Sequence, residues 1–241
     1  MTDTSIYIPR LTIADVDVRE FLAAVDLAKH ALPGPAQRKM QRWLYVYHVD
    51  RSYSGGYVTA TDGHRVSRWV FHVTEGPAFY GPVTVADVDD YRRARNGALS
   101  LPLADGISYP DVWRAARETL RGSVRLGRIV GLEPLLRAVS AFERAGLESI
   151  RIDCRGADAH ITAEDAEANL KIRAYVANVI EGDGAEKALS INPAYLAGAL
   201  RAIERGKSSN NEVVAELSAR ALRLTVTHGA DLMAEELISL S

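Results

Sequence analysis

The chain has 241 residues, with 29 Lys and Arg against 31 Asp and Glu, a formal net charge of −2, and is 47% hydrophobic and 25% charged. That is room for one or two domains with their own cores in an ordinary globular protein. No apolar run approaches the ~18 residues of a membrane span, the start MTDTSIYIPR lacks the basic flank and apolar core of a secretory signal, and one cysteine, Cys154, excludes an internal disulfide or a multi-cysteine metal site, which together read as a cytoplasmic protein.

Residues 13–31 place Val18, Phe21, Leu22, Val25, Leu27 and Ala28 at helical spacing, and Pro33-Gly34 ends the helix. The pattern then turns to strands: WLYVYHV, a Gly55-Gly56 turn, YVTAT, and RVSRWVFHV closed by Glu75-Gly76-Pro77. A short helix is expected over 85–94, stopped at Asn96-Gly97, followed by a brief strand, ALSLPL. Residues 105–122 are polar and turn-rich and read as a connector between domains at 1–104 and 123–241.

The second half repeats this scheme. SVRLGRIV is a strand, and residues 132–146 form a helix with Pro134 in its first turn and Gly146 past its end. SIRIDC, AHITAE and NLKIRAYVANV are strands, then ALSI leads to a helix at 192–206 with Asn192 as N-cap and Pro193 as first residue. EVVAELS, ALRLTVTH and a segment ending ELISLS close the chain. Helix then strands, four times over, predicts an α+β protein with antiparallel sheets and helices on one face.

Basic residues gather on the helices. Arg92, Arg93 and Arg95 close the second; Arg137 and Arg144 share a face of the third; Arg201 and Arg205 lie on the fourth, with Lys207 beyond; Lys29 follows the first. Cations at helix C-termini also favour the helix dipole, and most exposed helix charges are simply solvated. The acidic residues Glu164, Asp165, Glu167, Glu181, Asp183, Glu186, Asp231, Glu235 and Glu236 read as belonging to loops and strand edges. Basic helices in an acidic protein suit sequence-independent, salt-sensitive phosphate contacts.

Three segments, in order, resemble the DNA sliding clamp family, specifically the second and third domains of the bacterial DNA polymerase III beta subunit. ATDGHRVS (60–67) is similar to the clamp's ATDGHRLA, ADGISYPDVWRA (104–115) to its DGRFPDYRRV, and INPAYLAGAL (191–200) to its FN-x-x-YLLDAL helix start. The resemblance covers roughly residues 13–241. It departs from the family in lacking room for a first domain and in a shortened second half of the domain at 1–104. It implies the DNA-clamp fold, with two domains carrying sheets outside and two helices each on an inner face.

The same resemblance implies a processivity factor that encircles duplex DNA and tethers a polymerase by a short linear peptide. Thr61, Gly63, His64, Arg65 and Val66 would form one wall of the peptide groove, Pro110, Arg114 and Ala115 another, with Leu237 beside them. Two domains per chain would close as a ring of three, a homotrimer of head-to-tail copies, with a clamp-loader ATPase as a further partner. The cell would be bacterial or phage-infected, and a phage or mobile-element origin fits a two-domain version. No catalytic residue, metal or cofactor is implied. Asp62-Gly63 by itself reads as a tight turn. His64 has no His, Cys or acidic partner at ligand spacing. Trp43, Tyr45 and Tyr47 alternate on one strand face and read as packing rather than base stacking. Competing readings are a clamp-fold binding module that forms no ring, an enzyme whose clustered acid–base residues are not visible here, and a sequence-specific DNA-binding protein.

Overall fold

A computed structural model describes residues 10–13, 17–34, 43–48, 55–73, 79–94, 99–102, 124–129, 131–155, 157–165, 170–181, 187–218 and 220–240. Within them the chain forms fourteen strands and four α-helices, and it divides into two compact units. The first takes the described residues up to Ala60 and from Arg68 to Pro102; the second takes Thr61–Ser67 and those from 124 onward.

In the first unit, Asp17 starts helix α1 (Val18–Ala28) by accepting the N–H groups of Arg19 at 2.8 Å and Glu20 at 3.1 Å. The helix buries Phe21, Ala24, Val25 and Ala28, one stripe at helical spacing, and a 3₁₀ turn (Lys29–Ala31) follows it. Phe21 meets Phe71 edge-to-face at 5.3 Å between ring centroids. The helix is shorter than the expected 13–31: Asp17 caps its start, Lys29–Ala31 continue as the 3₁₀ turn, and Ile13 belongs to strand β1 (Arg10–Ile13), which pairs antiparallel with β6 (Leu99–Pro102). Strands β2 (Trp43–His48), β3 (Gly55–Thr61), β4 (Arg65–His72) and β5 (Phe79–Thr84) line up in the order β4-β3-β2-β5. Strand β5 is not among the expected elements, which pass from the turn at Glu75-Gly76-Pro77 straight to the helix at 85–94. Its Pro82 lies opposite Tyr45, and among the described residues β5 pairs only with β2, the edge position that proline tolerates. Helix α2 (Val85–Ala94) starts where Asp87 and Thr84 cap each other, the Asp87 N–H donating to Thr84 Oγ1 at 3.0 Å and the Thr84 N–H to Asp87 Oδ2 at 3.3 Å.

In the second unit the order is β11-β8-β9-β10-β7-β12-β13-β14. These strands are β7 (Val124–Arg128), β8 (Ile150–Arg155), β9 (Asp158–Asp165), β10 (Leu170–Glu181), β11 (Lys187–Ile191), β12 (Glu212–Leu217), β13 (Ala221–His228) and β14 (Asp231–Ser239), and each described pairing among them is antiparallel. Alternation sorts the faces as the sequence predicts: Ile150, Ile152 and Cys154 are buried, while Arg151 faces solvent. Helix α3 (Leu132–Arg144) buries Leu132, Leu135, Val139 and Phe142. It ends in a Schellman turn at Gly146 (φ 73°), with the Leu147 N–H bonded to Phe142 O and the Gly146 N–H to Glu143 O. Helix α4 (Pro193–Gly206) starts at Asn192, whose side chain accepts the Ala194 N–H at 2.8 Å, and it packs beside α3.

Two acidic residues depart from the sequence reading. Glu235 and Glu236 are not on a strand edge in solvent; they lie inside β14, 4% and 1% exposed. Ser67 Oγ donates to Glu236 at 2.6 Å, and Arg223 pairs with both Glu235 and Glu216. Burial alone would lower the pKa of the Arg223 guanidinium, but Glu235 and then Glu216 outweigh it and raise it. Nor do acids keep to loops: Asp26, Asp89, Asp90, Glu133, Glu143 and Glu204 lie on the helices among the basic residues.

Candidate functional site

The segment TDGHR folds as a locked turn at the start of β4. Gly63 has φ 90°, a left-handed conformation that a side chain would strain. Asp62, 5% exposed, accepts the N–H groups of His64 and Arg65 through Oδ1, each at 3.0 Å, and takes Arg65 Nε on Oδ2 at 3.0 Å. Thr61 Oγ1 closes the other side, donating to Arg65 O at 2.7 Å and accepting the Gly63 N–H at 3.1 Å. This bonding holds the peptide groups while His64 stays exposed and Arg65 half-buried.

The turn faces the first residues of α4. Tyr195 stacks against His64, with ring centroids 6.0 Å apart and 20° between planes, and the Arg65 guanidinium carbon sits 4.7 Å from the Tyr195 centroid. Strand β14 supplies the adjoining edge, its Ser239 N–H donating to His64 O at 2.8 Å. Thr61, Gly63, His64, Arg65 and Val66 therefore lie together, with Val66 at 6% and Leu237, on β14, at 8% exposure. Pro110, Arg114 and Ala115 fall outside the described residues, as do the connector 105–122 and Arg95. The sequence reading placed Asp62 in a tight turn, as found, but not its bond to the Arg65 side chain, and it missed Tyr195, which stands inside a segment it had singled out.

The basic helix residues are largely engaged. Lys29 lies 3.1 Å from Asp89 and 3.6 Å from Asp26; Arg92 reaches Asp26 at 2.8 Å and also donates to Leu22 O at 3.0 Å, so these charges tie α1 to α2. Arg93 pairs with Asp90 at 2.9 Å on the exposed side. On α3 and α4, Arg137 pairs with Glu133, Arg201 with Glu143, and Lys207 with Glu204. Among the described residues Arg144 and Arg205 make no ion pair. Each donates Nε to the carbonyl four residues back, at 3.1 Å to Ser140 O and 3.3 Å to Arg201 O.

Two units of antiparallel strands, each with a pair of helices, constitute the DNA-clamp fold, and this chain is a partial, clamp-like version of it. It aligns with the DNA polymerase sliding clamp of Caulobacter crescentus at 17% identity and a TM-score of 0.70, covering 100% of this chain and 67% of that one. The DNA polymerase III beta chain of Streptococcus pneumoniae aligns at 16% and 0.68, covering 100% and 66%. The beta subunit of Thermotoga maritima aligns at 10% and 0.68, covering 97% and 65%. The chain thus spans about two thirds of the length of these solved clamps, and identities this low establish the fold rather than the activity. No family model matches the sequence, and no curated protein matches it. Among the described residues no helix is long and apolar enough to cross a membrane.

Proposed function

We propose that this chain is a subunit of a DNA sliding clamp, a processivity factor without bond-making chemistry of its own. The observation that carries this reading is the alignment of the whole chain with solved clamps at TM-scores of 0.68 to 0.70. Copies join head to tail into a closed ring, three if six domains complete it, around duplex DNA. The ring cannot leave sideways, and weak phosphate contacts from the helices let it slide. A polymerase carrying a short linear peptide docks at the 61–67 turn beside Tyr195, and tethering raises its effective concentration at the primer end. A clamp-loader ATPase opens the ring, and the work is done in the cytoplasm of a bacterial or phage-infected cell.

The test is retention on DNA. Light scattering should give a ring-sized oligomer, and loaded protein should stay on closed circular DNA but run off after linearisation. A monomer at micromolar concentration, or equal loss from both DNAs, refutes the ring. A second reading, a clamp-fold module that captures peptides without closing, has one observation in its favour. Helix α4 is followed by three strands, whereas among the described residues of the first unit only β6 follows α2. That reading predicts a monomer that still binds polymerase peptide.

A further inference from the structure

Helices α3 and α4 hold their arginines in two different ways. Arg144 and Arg205 end their helices, exposed, each with Nε anchored to its own helix backbone and no carboxylate partner among the described residues. Their terminal N–H groups are left to solvent or to an incoming acceptor. Arg201 is bound differently. Its NH1 donates to Glu143 Oε1 at 3.3 Å, its NH2 bonds Glu143 Oε2, and NH2 also reaches Ser140 Oγ at 3.3 Å. The carboxylate therefore meets the guanidinium as a two-pronged fork across the helix pair, with the Arg201 side chain 45% and Glu143 28% exposed.

A carboxylate and a phosphate present the same pair of oxygens to that fork. We propose that Glu143 acts as a built-in phosphate competitor. It occupies the face of Arg201 that a DNA backbone phosphate would take, and it sets how firmly this helix pair holds duplex DNA. To reach a phosphate, Arg201 must release Glu143, and the released carboxylate then stands beside the incoming anion. The competitor has its main effect on Arg201. Arg144 and Arg205 carry the phosphate contact in the unaltered protein, and Glu143, by keeping Arg201 from adding a further one, holds the total weak enough for a sliding ring. Glu133 and Glu204 stand in the same relation to Arg137 and Lys207, but each lies three or four residues from its partner in sequence with a single described contact, at 2.6 and 2.9 Å. Glu143 alone among them bridges two helices with both oxygens.

This inference rests on α3 and α4 being the DNA-facing helices, and the experiment separates the two claims. Full-length protein is titrated onto an end-labelled linear duplex by fluorescence anisotropy across a salt series. E143Q should tighten binding about fivefold at low salt and steepen the dependence of log K on log salt by about 0.9, one added phosphate contact. In an R201A background the same change should give less than about twofold. R144A/R205A should weaken binding and flatten the slope by about 1.8. If R144A/R205A weakens binding but E143Q leaves it unchanged, the role given to Glu143 is wrong while the DNA face stands. Equal tightening by E143Q with and without Arg201 also overturns it, because removal of a nearby charge would then suffice. If none of the variants alters binding, the DNA face itself is wrong and the inference falls with it. Thermal melts accompany each variant, and E143A replaces E143Q should the glutamine variant not fold.

Discussion

Removing the Asp62 carboxylate tests the account of the TDGHR turn. Asp62 is 5% exposed and accepts three hydrogen bonds: two backbone N–H groups through Oδ1 and Arg65 Nε through Oδ2. Bonds to an ionised group contribute about 1.5–3 kcal/mol each when buried. Here the His64 and Arg65 amides are partly open to solvent, so about 1 kcal/mol each is the appropriate scale. Asp62→Ala should then cost about 3 kcal/mol, which for a chain of this size lowers Tm by about 9 °C. Asp62→Asn keeps the Oδ1 acceptor and gives up mainly the ion pair with Arg65, about 1 kcal/mol or about 3 °C. If the turn docks a polymerase peptide as proposed, function should follow stability, since Arg65 loses the anchor that holds it over Tyr195, and peptide affinity measured by anisotropy should fall about tenfold, some 1.4 kcal/mol. Calorimetry on both variants is the assay. An alanine variant that melts within about 2 °C of the parent and binds peptide unchanged would refute the reasoning.

Other positions give sharp expectations. A Cβ added at Gly56 would sit 2.3 Å from a ring carbon of Phe71, which is 1% exposed and backed by Phe21. Gly56→Ala should therefore cost about 2 kcal/mol by overpacking, and an unchanged melting curve would show that the ring has room to move. Arg223→Met removes the cation shared by Glu216 and Glu235, and should lower stability at neutral pH by about 3 kcal/mol in urea titration. A urea midpoint equal to the parent's would mean the pairing is neutral. Burial, and then Asp153, raise the pKa of the Cys154 thiol. The native protein at pH 8 should resist a disulfide reagent and react at once in denaturant, and fast labelling of the folded chain would contradict the burial.

Much of this fold is legible in local chemistry. The helix at 85–94 and the Asn192-Pro193 helix start depend on caps and turns within a few residues, and they occur where the sequence places them. Alternation in SIRIDC reports its buried face directly. What was illegible depends on partners far along the chain. β1 exists because Arg10–Ile13 finds Leu99–Pro102, and β5 because it finds β2, despite a proline. Glu235 and Glu236 look like surface acids in MAEELIS, and their burial depends on partners distant in sequence, among them Arg223 and Ser67. At the site, the motif located the turn but not the ring that rests against it. On the helices, the arginine count said nothing about the carboxylates that hold them, because Glu143 and Arg201 meet only when α3 and α4 pack.

Pro82 has a consequence for how this protein behaves in a crowded cell. A strand at the rim of a sheet is a template on which any extended chain can zip, and a residue without an amide hydrogen breaks the row of rungs such a chain needs. Among the described residues β5 forms such a rim, which is thus a poor seed for fibrils or for indiscriminate stacking. Whatever joins this molecule there must be chosen by its side chains.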